Sequence, residues 1–345
     1  MKKICPQVDP PSWLIYALGG GWGHLTRAVV LGRFAALRSR VRILTNSPFA
    51  EQIQRGFPDL DIVILDPKLP VELARRYSIA EIQRAAPACL IVDTFPRGLG
   101  GELAGLLGSL AATKVLVHRD LNPRYVTEAK LRDFVKSAYD LVLIPGESEG
   151  NAFASHPNAV VTEPWLIRNA DELPSRIKAR RLLKIEEVHQ PSILVCASGT
   201  SKELKWFGAV VAELLDRSPR ATIRCVAPTC PPGCPWQCWI KHWPAIDLYP
   251  ATDIVIGSAG YNTIYECLAC GVPLIARPWP RLYDRQWLRA RRAERVGNVM
   301  VVKQPAEVAA KAIHRVSGAR HRSQIKYHNG VVEAVSLIDS GDSIL

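Results

Sequence analysis

Apolar runs of four to six residues recur along the first half of the chain, each followed by a longer stretch with apolar positions three and four apart. The runs Trp13–Leu18, Val41–Leu44, Ile62–Leu65, Cys89–Val92, Lys114–Val117 and Leu141–Ile144 read as strands. The stretches Leu25–Leu37, Val71–Arg84, Gly100–Ala111 and Thr127–Ala138 read as helices. The strands are rich in Val and Ile and lack strict polar alternation, as strands buried on both faces do. Strand alternating with helix predicts a parallel sheet covered on both sides.

A second alternating set follows a charged segment, Glu163–Gln190, bounded by Pro164 and Pro191. It comprises a strand at Ser192–Cys196, a helix at Glu203–Leu215, and strands at Thr222–Val226, Ile246–Tyr249 and Asp253–Gly257. A last helical pattern runs from about Gln324 to Ile338. These patterns, with a length of 345 residues, predict two domains. Residues 1–165 form the first, 166–190 an interdomain linker, 191–322 the second, and 323–345 a helix.

Glycine-rich turns stand at strand ends in both halves. Gly19-Gly20-Gly21-Trp22-Gly23-His24 follows the first strand and opens a helix. It is not a dinucleotide fingerprint, because His24 stands where Gly or Ala is needed and strand two ends in Thr45-Asn46 without the acidic residue. No phosphate-binding Gly-x4-Gly-Lys-Ser/Thr run occurs. Ser198-Gly199-Thr200-Ser201 follows the strand Ser192–Cys196, and small hydroxylated residues there either cap the helix or donate to an anion. Between Asp253 and Gln286 the order is strand, Gly257-Ser258-Ala259-Gly260, helix, Gly271, strand, Pro-rich loop, helix start. Free N–H groups at such a turn are a seat for phosphate. Glu266 lies in the helix that the turn opens, and Asp284 and Gln286 follow the next strand.

That segment resembles the nucleotide-sugar signature of the GT-B glycosyltransferases. It is most similar to the family 28 branch that includes the N-acetylglucosaminyltransferase of lipid II synthesis, and to the UDP-glycosyltransferases. The resemblance rests on Gly257, Gly260, Thr263, Glu266, Gly271-Val272-Pro273, Asp284 and Gln286. It implies an α/β GT-B fold of two Rossmann-like domains whose parallel sheets face a central cleft, with the last helix packing back on the first domain. It also implies a nucleoside diphosphate sugar donor, UDP-linked, with Glu266 on the ribose hydroxyls and Asp284 and Gln286 on the sugar. Gly199, Thr200, Ser201, Ser258, Ala259 and Gly260 would contact the donor phosphates. The turn at Gly20, Gly21, Trp22 and Gly23 would face the acceptor, although the family carries Gly where Trp22 stands. His24 would be the general base of an inverting displacement, since an imidazole titrates near working pH. Asp93, closing the fourth strand, would orient His24 or touch the acceptor; an Asx-type cap is the alternative. Arg119-Asp120, after the fifth strand, carries the same ambiguity. Arg277 and Arg281 would neutralise the leaving diphosphate without a metal. A nucleotide-sugar hydrolase or epimerase on the same fold, or a non-catalytic nucleotide-sugar-binding protein, stays open as an alternative.

Bulk properties narrow the setting. The net charge is +12 and the pI about 9.4. The basic stretches Arg281–Arg295 and Arg315–Lys326 carry no interleaved aromatic code, so a nucleotide donor and an anionic membrane surface are expected partners rather than nucleic acid. Arg285, Arg289, Arg291 and Arg292 are expected at the surface. The N-terminus lacks an apolar signal-peptide core and no apolar run reaches 18 residues. A cytoplasmic protein, peripheral at the inner membrane face, is the expectation. Nine cysteines lying mostly in apolar patterns suit reduced thiols. Cys230, Cys234 and Cys238 form a C-x3-C-x3-C run without a second half-site, so a plain Pro/Cys/Trp loop is preferred to a metal site, with His242 the one further ligand in range.

Overall fold

The computed structural model describes residues 12–19, 21–185, 190–317 and 325–340. The chain divides into two compact units. Residues up to Trp165 together with those from Asn329 onward form one, and Leu166–His328 form the other.

The first unit contains β1 (Ser12–Ala17), α1 (Trp22–Ala35), β2 (Arg40–Thr45), α2 (Ala50–Gly56), β3 (Asp61–Ile64), α3 (Val71–Ala85) and β4 (Cys89–Asp93). It continues with β5 (Thr113–Val117), α4 (Pro123–Glu128), α5 (Leu131–Ala138), β6 (Leu141–Pro145) and β7 (Ala159–Thr162). The seven strands lie in the order β3-β2-β1-β4-β5-β6-β7 and all pair in parallel. Leu14, Ile15 and Tyr16 of β1 and Leu90, Ile91 and Val92 of β4 are wholly buried, which accounts for the uninterrupted apolar runs. Each such side chain contributes about 1.5–3 kcal/mol through burial. α1 is buried on most of its sides, Leu25, Val29 and Leu31 among the enclosed residues. Order reverses between β1 and β4, so the loops after these two strands diverge and leave a crevice at their carboxyl ends.

The second unit contains α6 (Arg176–Leu182), β8 (Ser192–Cys196), α7 (Ser201–Arg217), β9 (Thr222–Val226), β10 (Trp239–Ile240), β11 (Ile254–Ser258), α8 (Tyr261–Ala269), β12 (Leu274–Arg277), α9 (Gln286–Arg295), β13 (Val299–Val301) and α10 (Pro305–Ser317). Its sheet runs β10-β9-β8-β11-β12-β13, again parallel, with the reversal between β8 and β11. The last helix, α11 (Val331–Asp339), packs on α1 and β7 of the first unit.

Several elements depart from expectation for identifiable reasons. Gly100–Ala111 forms turns and one short 3-10 segment (Leu107–Ser109) rather than a helix. Glu102 is buried there and hydrogen-bonds the Tyr16 hydroxyl, and its other oxygen accepts from the Gly100 N–H at 2.8 Å. The side chain thus holds the backbone in a loop. Thr127–Ala138 is split into α4 and α5 by Lys130, which sits at φ +47°. Ile246–Tyr249 is part of a 3-10 helix, Ala245–Ala251, not a strand; Thr252 Oγ1 donates back to the Leu248 carbonyl at 2.9 Å, holding the coil closed. The charged stretch 166–190 belongs to the second unit, where α6 packs on that same 3-10 helix. The last helical pattern starts at Val331 in the described residues; Gln324 lies outside them.

Candidate functional site

Both candidate sets of side chains sit where sheet order reverses, one set in each unit.

In the first unit His24 is the third residue of α1. Its ring folds back over Gly19, where an added Cβ would come within 2.5 Å of His24 Cδ2. Only glycine leaves that space. The ring also stacks on Phe95 at 5.4 Å between centroids. Nδ1 lies 2.5 Å from Asp93 Oδ2. A carboxylate accepts, so Nδ1 carries the proton and Nε2 is left as the basic nitrogen. Asp93 closes β4 and is 2% exposed. Arg27, one turn beyond His24 and fully buried, grips both Asp93 oxygens at 2.8 Å and reaches Thr94 Oγ1 at 3.0 Å. Burial opposes ionisation of Asp93, but Arg27 and the bond from His24 outweigh it and hold the carboxyl well below the usual range. Burial pushes His24 below its ordinary value, with Asp93 acting against that and Arg27 and Arg119 adding to it. The imidazole is therefore neutral and able to accept a proton at neutral pH.

Around this dyad, Gly21 is the N-cap of α1, Trp22 stacks flat on Phe49 at 4.1 Å, and Gly23 lies in the first helical turn. Gly20 lies outside the described residues. After β5, His118 is fully buried with neither ring nitrogen hydrogen-bonded, tilted against Phe153 at 4.2 Å. Burial, then the Arg119 charge, pushes it down to about 3. Asp120 donates its N–H to Glu147 Oε2 at 3.2 Å. Sequence reasoning missed Arg27 and His118; the i, i+3 spacing of His24 and Arg27 on one helix was the available signal for the first.

In the second unit the turns after β8 and β11 are neighbours, because those strands pair Gly257 opposite Cys196. Gly199 takes φ +116°, Thr200 caps α7 by accepting the Glu203 N–H at 3.4 Å, and Ser201 is its first residue. Ser258 closes β11, the Ala259 N–H bonds the Arg277 carbonyl at 3.1 Å, Gly260 is the N-cap of α8 and Thr263 lies in its first turn. One turn further, Glu266 is 6% exposed. No hydrogen bond or ion pair holds its carboxyl group among the described residues. Burial, helped by the Asp247 charge, pushes its carboxyl up to about 8. Asp247 is itself held by Arg168 at 2.9 and 3.1 Å.

Asp284 and Gln286 flank the start of α9 and do different things. Gln286 is buried and its Oε1 accepts the Trp279 N–H at 3.0 Å, pinning the loop between β12 and α9. Asp284 stays 15% exposed and pairs with Arg289 at 2.7 Å. Arg289, expected at the surface, is buried and also donates to the Ala259 carbonyl at 3.2 Å. That interior partner is why it turns inward. Arg281 pairs with Glu203. Arg277 lies over the rings of Trp279 and Trp206, 4.8 and 5.7 Å from their centroids, and donates to the Lys303 carbonyl.

The cysteine run packs into the second unit's apolar core: Cys225, Cys234 and Cys238 are buried there and Cys230 packs against them. No group of three or more His, Cys, Asp or Glu suited to a metal ion occurs among the described residues. His242 lies 3.4 Å from Asp247 instead. No helix among those residues is long and apolar enough to cross a membrane.

Comparison with known proteins follows the same division. Residues 245–324 match the glycosyltransferase family 28 C-terminal domain, a span holding the β11–α8 turn, Glu266, Asp284, Gln286 and Arg289. No curated protein matches the chain. Among solved structures, MurG of Acinetobacter baumannii is similar over 96% of this chain and all of its own, at 13% identity and TM-score 0.60. The Streptomyces sp. SF2575 glycosyltransferase SsfS6, complexed with thymidine diphosphate, is similar over 96% of this chain and 99% of its own, at 16% identity and TM-score 0.62. The glycotransferase of kitacinnamycin matches over 96% and 99%, at 13% identity and TM-score 0.63. The fold is GT-B: two Rossmann-like units, each with its own parallel sheet.

Proposed function

We propose that the chain is a glycosyltransferase that moves a sugar from a nucleoside diphosphate sugar, first of all a UDP-sugar, to an acceptor hydroxyl with inversion. One observation carries the reading. Glu266 is a buried carboxyl without a protein partner among the described residues, one helical turn beyond a glycine-rich anion seat, inside the segment that matches the family 28 domain. Buried polar groups are normally satisfied, and the two hydroxyls of a ribose would satisfy this one. Free N–H groups at the start of α8 would meet the diphosphate. Asp284, fixed by Arg289 yet still accessible, would accept from a sugar hydroxyl.

His24 would take the acceptor proton on Nε2 while the acceptor oxygen bonds to the anomeric carbon. The bond from that carbon to the diphosphate oxygen breaks on the opposite side. Asp93 stabilises the resulting imidazolium, the part a buried carboxylate plays in other His-based sites. Arg281 would carry part of the leaving-group charge, so the displacement needs no metal. A lipid-linked acceptor at the cytoplasmic membrane face is supported by exposed Val71, Leu73 and Tyr77 on α3, interspersed with Arg75 and Arg76.

Thermal unfolding against a panel of UDP, TDP, GDP and their sugars tests the donor assignment. A ligand bound only by the folded state raises the midpoint by mass action. A selective rise with uridine nucleotides is expected; equal indifference to every nucleotide refutes it. Turnover of the selected donor without any acceptor, releasing free sugar, would instead identify a hydrolase.

A further inference from the structure

The turn after β8 already holds an anion, and it comes from the chain itself. Glu203, in the first turn of α7, folds its carboxylate back against Gly199. A Cβ on Gly199 would lie 1.7 Å from Glu203 Oε2, so the carboxylate fills the space over the turn. Glu203 is buried, at 4% exposure. Arg281, from the loop between β12 and α9, clasps both oxygens at 2.5 and 2.7 Å. Arg281 is 31% exposed, so its guanidinium is within reach of an incoming group. The helix opened by the neighbouring turn carries Glu266, buried and without a partner among the described residues, an independent sign that a ligand belongs at this end of the sheet.

We propose that Glu203 is a displaceable stand-in for a donor phosphate: the incoming diphosphate expels it from the β8–α7 turn and takes over Arg281. The proposal rests on the donor reading above and adds a mechanism to it. A diphosphate seated beside Gly199 would face a carboxylate within a few ångströms, where like charges repel strongly in a half-buried site. Both cannot occupy the turn. Arg281 loses little by the exchange, because a guanidinium fork fits phosphate as well as carboxylate. Without donor, the pair keeps the buried Glu203 carboxylate from being left alone, which would be costly. With donor, Arg281 arrives at the leaving group only when there is one to neutralise.

The test is calorimetric titration of the full chain with UDP and, as control, uridine. Wild type, Glu203→Gln, Arg281→Met and the double variant are compared, with Glu203→Ala as a second neutral variant should the Gln form fold poorly. Removing the carboxylate is expected to tighten UDP binding about tenfold and to leave uridine unchanged, since the repulsion acts on phosphate alone. Arg281→Met is expected to weaken UDP about tenfold, and adding Glu203→Gln to it to recover part of that loss. A merely structural ion pair would not yield a phosphate-dependent gain of affinity on being broken. UDP binding that is unchanged or weaker in both neutral Glu203 variants overturns the exchange while leaving the donor reading intact. Wild type and neutral variants that all ignore UDP overturn the donor reading and the exchange with it.

Discussion

Replacing Glu266 with Gln should stabilise the protein in a pH-dependent way, and the size follows from the structure. An ordinary glutamate titrates near 4.5, whereas this one is held up to about 8 by burial and by Asp247. Below pH 4.5 both folded and unfolded chains carry the proton, and the residue makes no difference through titration. Between 4.5 and 8 the unfolded chain releases the proton and the folded chain keeps it. Stability therefore falls as pH rises through that window, and the loss is complete above about 8. At 1.36 kcal/mol per pKa unit, the ceiling is on the order of 5 kcal/mol, and relaxation of the site brings a realistic figure to about 2–4. Glutamine has nearly the same shape and no charge to desolvate. Urea unfolding of wild type and Glu266→Gln at pH 5, 7 and 8.5 measures it directly. The variant should be close to wild type at pH 5 and progressively more stable toward pH 8.5. A difference that is the same at all three values would show that Glu266 titrates normally, and that its burial is relieved by a partner. UDP adds a second readout: ribose hydroxyls donate best to a carboxylate, so binding near pH 7 should release a proton, and the binding enthalpy should vary with buffer ionisation heat in wild type but not in the variant.

His24→Ala should lower turnover by about 100- to 10,000-fold, the usual worth of a positioned general base, with donor affinity unchanged; turnover within a few-fold of wild type would remove His24 from the chemistry. Asp93→Asn removes the group that raises the His24 pKa against burial, so the acid limb of the pH–rate profile should move to lower pH and the plateau should drop. Arg289→Met removes the buried guanidinium that pairs with Asp284 and donates to the Ala259 carbonyl, and should cost on the order of 3 kcal/mol in urea unfolding, as breaking a buried pair does; Arg289→Lys should recover part of that loss.

The sheets were legible because parallel strands buried on both faces leave uninterrupted apolar runs, and Ser192–Cys196 and Thr222–Val226 have the predicted limits. The short strands β10 and β13 left too little pattern to see. What escaped was set by partners remote in sequence. Gly100–Ala111 has a helical spacing, but Tyr16, 86 residues from Glu102, decides its form. Arg289 sits in a run of arginines that looks like a solvated helix face, yet it turns inward to Asp284 and to the Ala259 carbonyl, 30 residues away. Glu203 stood only as the start of a predicted helix, because nothing local shows that Gly199 makes room for its carboxylate. Side chains that await a ligand were easier to anticipate than those that hold them, since the former sit in turns with special composition and the latter need only reach.

The buried arginines bear on why the sites are built as they are. Arg27 with Asp93, and Arg289 with Asp284, take paired charges out of water. Replacing such a pair by well-packed apolar residues is often neutral or stabilising, so stability alone does not account for them. Both pairs share a geometry. The guanidinium comes from within a helix that opens at the carboxyl end of a strand, and the carboxylate lies in a loop or at a strand end beside a glycine-rich turn. In each, the arginine engages both carboxylate oxygens and so fixes their direction: Asp93 Oδ2, held by Arg27, also meets His24, and Asp284 remains accessible. A neutral partner would hold the carboxylate less firmly, and a solvent-facing one would let it turn. The cost of desolvation is accepted at the two places where, in the proposed reaction, a carboxylate must point one way, which is the arrangement expected of side chains selected for orientation rather than for cohesion.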